Sequence, residues 1–201
     1  MRGVKMSTGT PPWSLEFEPE EAWLLGVLLD FYQPLVEPDA EPLGPDDGDG
    51  DAGSGDAEDS FAFWESDVVE TTVDRQGEDP ALVRLFPDAY SDDPLASAEF
   101  RRFTLSGQRR ERLDDIAMLR RALVRLADGP LPIGVEDIDP WLRVANALRL
   151  LLASRLGIVD DRSADQAERD AHRDPSDIIH PAYEWLGVLI EIFIEVSWGE
   201  D

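Results

Sequence analysis

The sequence has no cysteine, only one lysine, and a long stretch without any basic residue. The missing cysteine excludes disulfides, thiolate zinc sites, and sensing or catalysis that needs a thiol in this chain. The single lysine is Lys5, and the other 17 basic residues are arginines. Residues 6–74 contain 19 acidic residues and no basic ones. Because the chain has no thiol, any redox response would need a partner's thiols or the three methionines.

The net charge of −26 bears on partners and compartment. Such a charge repels phosphate backbones and anionic membranes, which disfavours nonspecific nucleic-acid binding but does not exclude a local arginine patch. The first 13 residues contain no apolar segment typical of a secretory signal. The most apolar stretch, 178–198, is interrupted by Glu184, Glu191 and Glu195, which favours a core helix over a membrane span. We expect a cytoplasmic protein.

The N-terminal part, residues 1–37, predicts an extended arm followed by a helix from Pro19 to about Gln33. Glu20 and Glu21 suit the first turn, and Pro34 predicts the end of the helix. The predicted apolar stripe of the helix comprises Leu24, Val27, Leu28 and Phe31. The preceding arm alternates apolar and polar side chains and contains Trp13, Leu15 and Phe17.

Residues 38–60 are rich in Asp, Gly, Pro, Glu and Ala and contain almost nothing apolar, so we predict a disordered acidic linker. Its acids Asp47, Asp49, Asp51 and Glu58 match positions of a calcium loop. Ala52 stands where that loop needs Gly, so we interpret the pattern as solvated linker and predict no metal site. Residues 61–201 then form the remainder of a single domain, and the sequence leaves open whether 61–76 docks on it.

Three Asp-Pro pairs, at Asp79, Asp93 and Asp139, predict helix starts in this remainder, because Asp is a good N-cap and Pro a good first helical residue. The fourth pair, Asp174-Pro175, is assigned to a turn. The predicted helices span about 80–86, 94–103, 107–127 and 140–156, with a final helix from near His180 to about Trp198. A segment at Leu131–Val135 is at most one short strand. The sequence therefore predicts an all-α bundle of about five to six helices, with the apolar C-terminal helix at its centre.

Candidate sites for chemistry are scarce. The only histidines are His172, assigned to a polar loop, and His180, at the start of the last helix. No nucleophile elbow, glycine-rich phosphate loop or HExxH helix occurs, so we predict no catalytic, cofactor-binding or metal-binding residues. Because the chain has 44 acidic residues, pairs of carboxylates are plentiful, and their presence does not indicate a catalytic site.

Arginines provide the more informative pattern. Residues 101–155 hold eleven arginines against seven acids, which favours an anion-binding surface, a surface for an acidic partner, or DNA contact through 101–125. The alternative is that these arginines pair with the protein's own surplus carboxylates. Arg120 falls within the apolar stripe of the helix predicted at 107–127. Arg149 lies beside Asn146 on the flank of the apolar stripe of the helix predicted at 140–156. We predict that Arg120 or Arg149 pairs with the ridge Glu184–Glu191–Glu195 of the last helix.

Four ordered motifs resemble the AosR-like family of actinobacteria, which was long catalogued as a domain of unknown function and is often encoded beside the ClpS adaptor. The first motif is Asp79-Pro80-Ala81-Leu82-Val83-Arg84-Leu85-Phe86-Pro87-Asp88-Ala89-Tyr90, followed by Glu99-Phe100-Arg101. The others are Trp141-Leu142 with Asn146-Ala147-Leu148-Arg149-Leu150, and Tyr183-Glu184-Trp185-Leu186 with Glu191. The match covers about residues 79–200 well and the first helix loosely.

The resemblance implies a cytoplasmic oxidative-stress transcriptional regulator that acts without enzymatic activity, by contacting a protein of the transcription machinery, a sigma factor being one candidate. Because it has no cysteine, this sequence departs from a version of that role in which the regulator itself carries a thiol switch. Two alternatives remain: a transcription factor that touches DNA through 101–125, disfavoured by the net charge, and an enzyme of unrecognised type. The structural and motif residues expected to matter are Arg84, Asp88, Tyr90, Arg120, Trp141, Asn146, Arg149, Tyr183, Trp185 and Glu191.

Overall fold

Six helices and three short strands form the part of the chain that the computed structural model describes, residues 4–37, 79–174 and 178–198. The helices are α1 (Pro19–Val36), α2 (Pro80–Leu85), α3 (Pro94–Leu126), α4 (Val135–Arg155), α5 (Asp161–Arg173) and α6 (Ile179–Trp198). The predicted all-α helical bundle is confirmed, with a small sheet added. The predicted linker 38–60, its calcium-loop pattern and residues 61–78 lie outside the described residues.

The N-terminal arm belongs to the sheet, whose strands are β1 (Lys5–Met6), β2 (Trp13–Glu16) and β3 (Leu131–Ile133). β2 is the middle strand and pairs antiparallel with both neighbours, with Leu15 opposite Leu131. Trp13 and Leu15 are buried because alternate residues of a strand face the same side. The predicted arm and the short strand near 131–135 are therefore two strands of one sheet.

Helix α1 departs from the prediction at its end and along its face. It continues through Pro34 to Val36, because a proline in the last turn removes only one backbone hydrogen bond. Phe31, assigned to the core stripe, is 68% exposed. The stripe that is buried lies further round the helix and comprises Leu24, Leu25, Leu28, Leu29, Tyr32 and Val36.

Aspartate caps begin α2 and α3 as predicted. The Asp79 carboxylate accepts from the Ala81 N–H at 2.9 Å, and that of Asp93 accepts from the Ala96 N–H at 3.0 Å. The two helices predicted at 94–103 and 107–127 are one helix of 33 residues. A single internal glycine, Gly107, costs only about 1 kcal/mol, and buried residues on both sides of it hold the helix together.

The predicted cap at Asp139 is wrong, because α4 begins at Val135 and contains Pro140. The Asp137 carboxylate instead accepts from the Gly134 N–H at 2.9 Å and caps the helix earlier. Helix α5 was not predicted, since only Ala167 of its 13 residues is buried and no apolar stripe marks it. His172 consequently lies in the last turn of α5 and not in a loop.

Helix α4, and not the C-terminal helix, occupies the centre of the bundle. It packs against α1, α2, α3, α6 and β3, whereas α6 packs mainly on α4. One face of α6 is buried through Ala182, Trp185, Leu186, Leu189, Phe193 and Val196. The opposite ridge, with Glu184, Val188, Glu191 and Glu195, is exposed.

Candidate functional site

A cavity of about 530 Å³ lies between the segment around the end of α2, the middle of α3 and the middle of α4. Its apolar wall includes Leu85, Pro87, Phe100, Ala147 and Leu150. Its polar wall comprises Arg84, Asp88, Gln108, Glu111, Arg112, Asp115, Arg143 and Asn146. The cavity therefore combines an apolar surface with several arginines.

Two of these arginines are held in place by neutral groups. Arg84, in the last turn of α2, donates from Nη2 to the Ile158 carbonyl oxygen at 2.6 Å. Arg112, on α3, donates to the Leu85 carbonyl oxygen at 2.8 Å and to the Tyr32 hydroxyl at 3.1 Å. Its guanidinium also lies 4.9 Å from the centre of the Phe86 ring. Within the described residues neither arginine forms an ion pair, so both charges are unmatched.

The acidic residues in the cavity wall, unlike Arg84 and Arg112, have partners of opposite charge. Asp115 is buried and accepts two hydrogen bonds from Arg143, at 2.7 and 2.8 Å. That bidentate contact, offset in part by desolvation, raises the pKa of Arg143. Asp88 forms an ion pair with Arg101. Glu111, whose side chain is 61% exposed, lies 3.7 Å from Arg143 at the edge of this group.

Burial of Tyr32 beside the cavity perturbs its hydroxyl. Desolvation raises the pKa of Tyr32, while the charge of Arg112 and its hydrogen bond oppose that rise. The hydroxyl therefore stays protonated through the neutral range and serves as a neutral acceptor for Arg112. The Asp115–Arg143 pair and the Arg112 contacts together join α1, α2, α3 and α4 around the cavity.

The predicted residues fall into separate places, and only three of them meet in the cavity: Arg84, Asp88 and Asn146. Tyr90 lies beside it, with its ring 6.3 Å from that of Phe100. Trp141 is buried and stacks on Phe193 in the core.

Two other predicted residues form contacts near the C-terminal helix. The Arg149 guanidinium lies 4.6 Å from the centre of the Tyr183 ring and close to Gly187, where no side chain intervenes. Trp185 donates from its indole N–H to Glu21 at 3.1 Å. Glu21 is only 1% exposed and also accepts from the Glu18 N–H at 3.0 Å, so it caps α1 while it fixes Trp185.

The predicted pairing of Arg120 or Arg149 with the glutamate ridge is wrong. Arg120 instead contacts α1, with Nη2 2.7 Å from Asp30 and Nε 3.2 Å from Gln33. In the described part of the chain Glu184, Glu191 and Glu195 are exposed and form no ion pair with an arginine. The reason is geometric: α6 turns this ridge away from the bundle, so the carboxylates remain hydrated and need no donor.

Sequence reasoning missed Arg112, Asp115 and Arg143, and it placed Glu21 in the first turn of α1 without predicting its contact with Trp185. Asp115 and Arg143 are 28 residues apart in the sequence, and Glu21 and Trp185 are 164 residues apart. No local sequence pattern therefore marks either contact. The one available signal was the position of Glu21 three residues after Glu18, which is typical of a helix-capping residue.

Four large apolar side chains on or just before α3 are exposed, and we term them the α3 patch: Tyr90, Leu95, Phe100 and Phe103. Phe103 is the most open of the four, at 71% exposed. Arg101 and Arg102 lie between the two phenylalanines in sequence, and the Arg102 guanidinium is 6.0 Å from the centre of the Phe103 ring. Apolar and cationic groups therefore share one surface.

Within 4–37, 79–174 and 178–198, no three His, Asp or Glu residues are grouped as metal ligands would be. None of the helices described in these ranges is both long and apolar enough to cross a membrane.

The family is shown by a match over residues 1–197 to the family model described as Domain of unknown function (DUF2017). Because that match spans nearly the whole chain, the protein belongs to the DUF2017 family. No curated protein and no solved structure matches the chain.

Proposed function

We propose that this member of the DUF2017 family is a non-enzymatic cytoplasmic regulator that acts by binding another protein through the α3 patch. The observation that carries the proposal is the exposure of four large apolar side chains on or just before α3, where the rings of Tyr90 and Phe100 meet and Arg102 lies against Phe103. Contiguous exposed apolar groups are typical of interaction sites, and aromatic residues and arginine are enriched where binding energy concentrates.

Charge indicates the chemistry of the partner. Helix α3 has eight arginines and four acids, a net of +4, in a chain whose net charge is −26. The surface therefore favours an acidic segment that also offers apolar side chains. The resemblance to the AosR-like family supplies the class of partner, a protein of the transcription machinery such as a sigma factor, and oxidative stress as the condition.

Direct DNA contact through 101–125 is the second candidate. Exposed Arg110, Arg121 and Arg125 on α3 favour it. Against it, Arg101 and Arg120 pair with the protein's own carboxylates, and Arg112 is held by neutral groups inside the bundle. Fewer arginines are then available for phosphates than the sequence indicates.

A photocrosslinking amino acid at position 103 tests the proposal with purified RNA polymerase and sigma factors of the native host. The matched control is position 124, because Val124 lies on the same helix and is also 71% exposed. We expect a crosslink to one subunit from position 103 and none from 124.

Equal crosslinking from both positions, or none from 103, would contradict docking at the α3 patch. DNA binding is measured in parallel over a series of salt concentrations, since genuine phosphate contacts give a steep loss of affinity with salt. A steep slope that falls by about one in Arg121→Gln would favour the second candidate instead.

A further inference from the structure

We propose that the cavity between α2, α3 and α4 binds a small organic anion that has a carboxylate and a flat apolar body. This site adjoins the α3 patch and shares Phe100 with it, but the ligand would fill the cavity and need no partner protein. Its size of about 530 Å³ falls within the range of roughly 300–1,000 Å³ that small-molecule sites occupy.

Unmatched positive charge in the cavity wall favours an anion. Asp115 and Asp88 are each neutralised by an arginine of their own. Arg84 and Arg112 have only carbonyl oxygens, a hydroxyl group and an aromatic ring as partners in the described part of the chain. Glu111 is the remaining acid, and its side chain is largely hydrated, so its charge is screened by water.

The donors are prepared for a carboxylate. Arg84 uses Nη2 for the Ile158 carbonyl, and its Nε and Nη1 make no hydrogen bond to a described residue. A guanidinium that is already fixed loses little freedom when a planar carboxylate binds it. Asn146 and Gln108 are exposed in the wall. Within the described residues their side-chain amides make no hydrogen bonds, which leaves these groups able to contact the ligand.

The rest of the wall sets the shape of the ligand. Leu85, Pro87, Ala147 and Leu150 supply aliphatic surface, and Phe100 adds a ring. Burial of an apolar body against these groups contributes affinity that a bare anion cannot gain. The preferred ligand is therefore an organic acid and not inorganic phosphate.

The test is a titration of the isotopically labelled full chain with benzoate, followed by NMR at the Arg84 Nε–H and the Asn146 amide. Benzamide, which has the same shape without the charge, and inorganic phosphate are titrated separately at constant ionic strength. We expect saturable shifts with benzoate and weaker, unsaturated shifts with the other two probes. Arg84→Gln is expected to weaken benzoate binding about tenfold or more.

Two further variants keep the test independent of folding. Asn146→Leu breaks no described hydrogen bond, and it is expected to weaken benzoate several-fold without changing the melting temperature. Arg110→Gln, on an exposed arginine of α3 away from the cavity, is expected to leave benzoate affinity unchanged. The proposal is overturned if benzoate gives no saturable shift, if benzamide or phosphate binds as tightly, or if Arg84→Gln and Asn146→Leu both bind benzoate like the unmodified chain.

Discussion

Replacement of Arg143 by Met isolates the contact that joins α3 to α4 at the cavity. Arg143 makes two hydrogen bonds to Asp115, whose side chain is 8% exposed, and within the described residues no other arginine or lysine pairs with that carboxylate. Methionine retains an unbranched apolar chain of similar reach, so packing changes little. The substitution therefore mainly leaves Asp115 buried without a counter-charge.

The expected loss follows from the exposure of the two partners. Breaking a fully buried pair costs about 3–5 kcal/mol, whereas an exposed pair contributes about 1 kcal/mol or less. Asp115 is buried but the Arg143 side chain is 45% exposed, so water can replace part of the contact. We expect a loss of about 2–3 kcal/mol in the free energy of unfolding, and a melting temperature lower by roughly 5–10 °C.

Urea unfolding followed by far-UV circular dichroism measures the loss, with Arg110→Met as the matched control on an exposed arginine. The double variant Asp115→Leu, Arg143→Met should recover most of the stability, because no buried charge remains. The reasoning is refuted if Arg143→Met is no less stable than Arg110→Met, or if the double variant is less stable than the single one.

Three further outcomes follow from the same contacts. Hydrogen bonding to Arg155 lowers the pKa of Asp79, so this carboxylate stabilises the folded state above the ordinary Asp pKa of 3.8 and the contribution disappears as pH falls through the lowered value. Asp79→Asn, which keeps the helix cap, should flatten the loss of stability as the pH falls below the ordinary value of 3.8 in urea titrations, and an unchanged slope would count against it. Glu21→Ala should cost about 1–3 kcal/mol because Trp185 loses its acceptor, with Glu21→Gln milder; equal losses in urea would argue against a hydrogen-bonding role. Glu191→Ala should change stability by less than about 0.5 kcal/mol, since the side chain is exposed, and a loss of several kcal/mol would restore the predicted buried pair.

Local signals in the sequence predicted elements well where the chemistry is local. The Asp79 and Asp93 caps and the apolar repeat of the last helix depend on residues within a turn or two, and each element is present. Helix α5 was missed because its N-terminal cap, Asp160, stands before a helix with almost no buried face. An apolar pattern cannot reveal a helix that packs so little.

Contacts between distant segments account for the rest. Arg120 was assigned to the glutamate ridge, but its partner Asp30 lies 90 residues away on α1. The assignment assumed that an apolar helix must be central, whereas α6 exposes one ridge and α4 takes the centre. At the cavity, the resemblance supplied Arg84, Asp88 and Asn146, while Arg112 and Arg143 became visible only once α3 and α4 were placed side by side.

The most direct test of the proposed function is the affinity of the intact protein for purified sigma factors and RNA polymerase, measured for the unmodified chain, Phe103→Ser and Val124→Ser. Both substitutions remove an apolar side chain that is 71% exposed from α3, so they match in chemistry and differ in position. Docking at the α3 patch predicts that Phe103→Ser weakens binding about tenfold or more while Val124→Ser leaves it within about twofold. Equal affinities for all three proteins would contradict it.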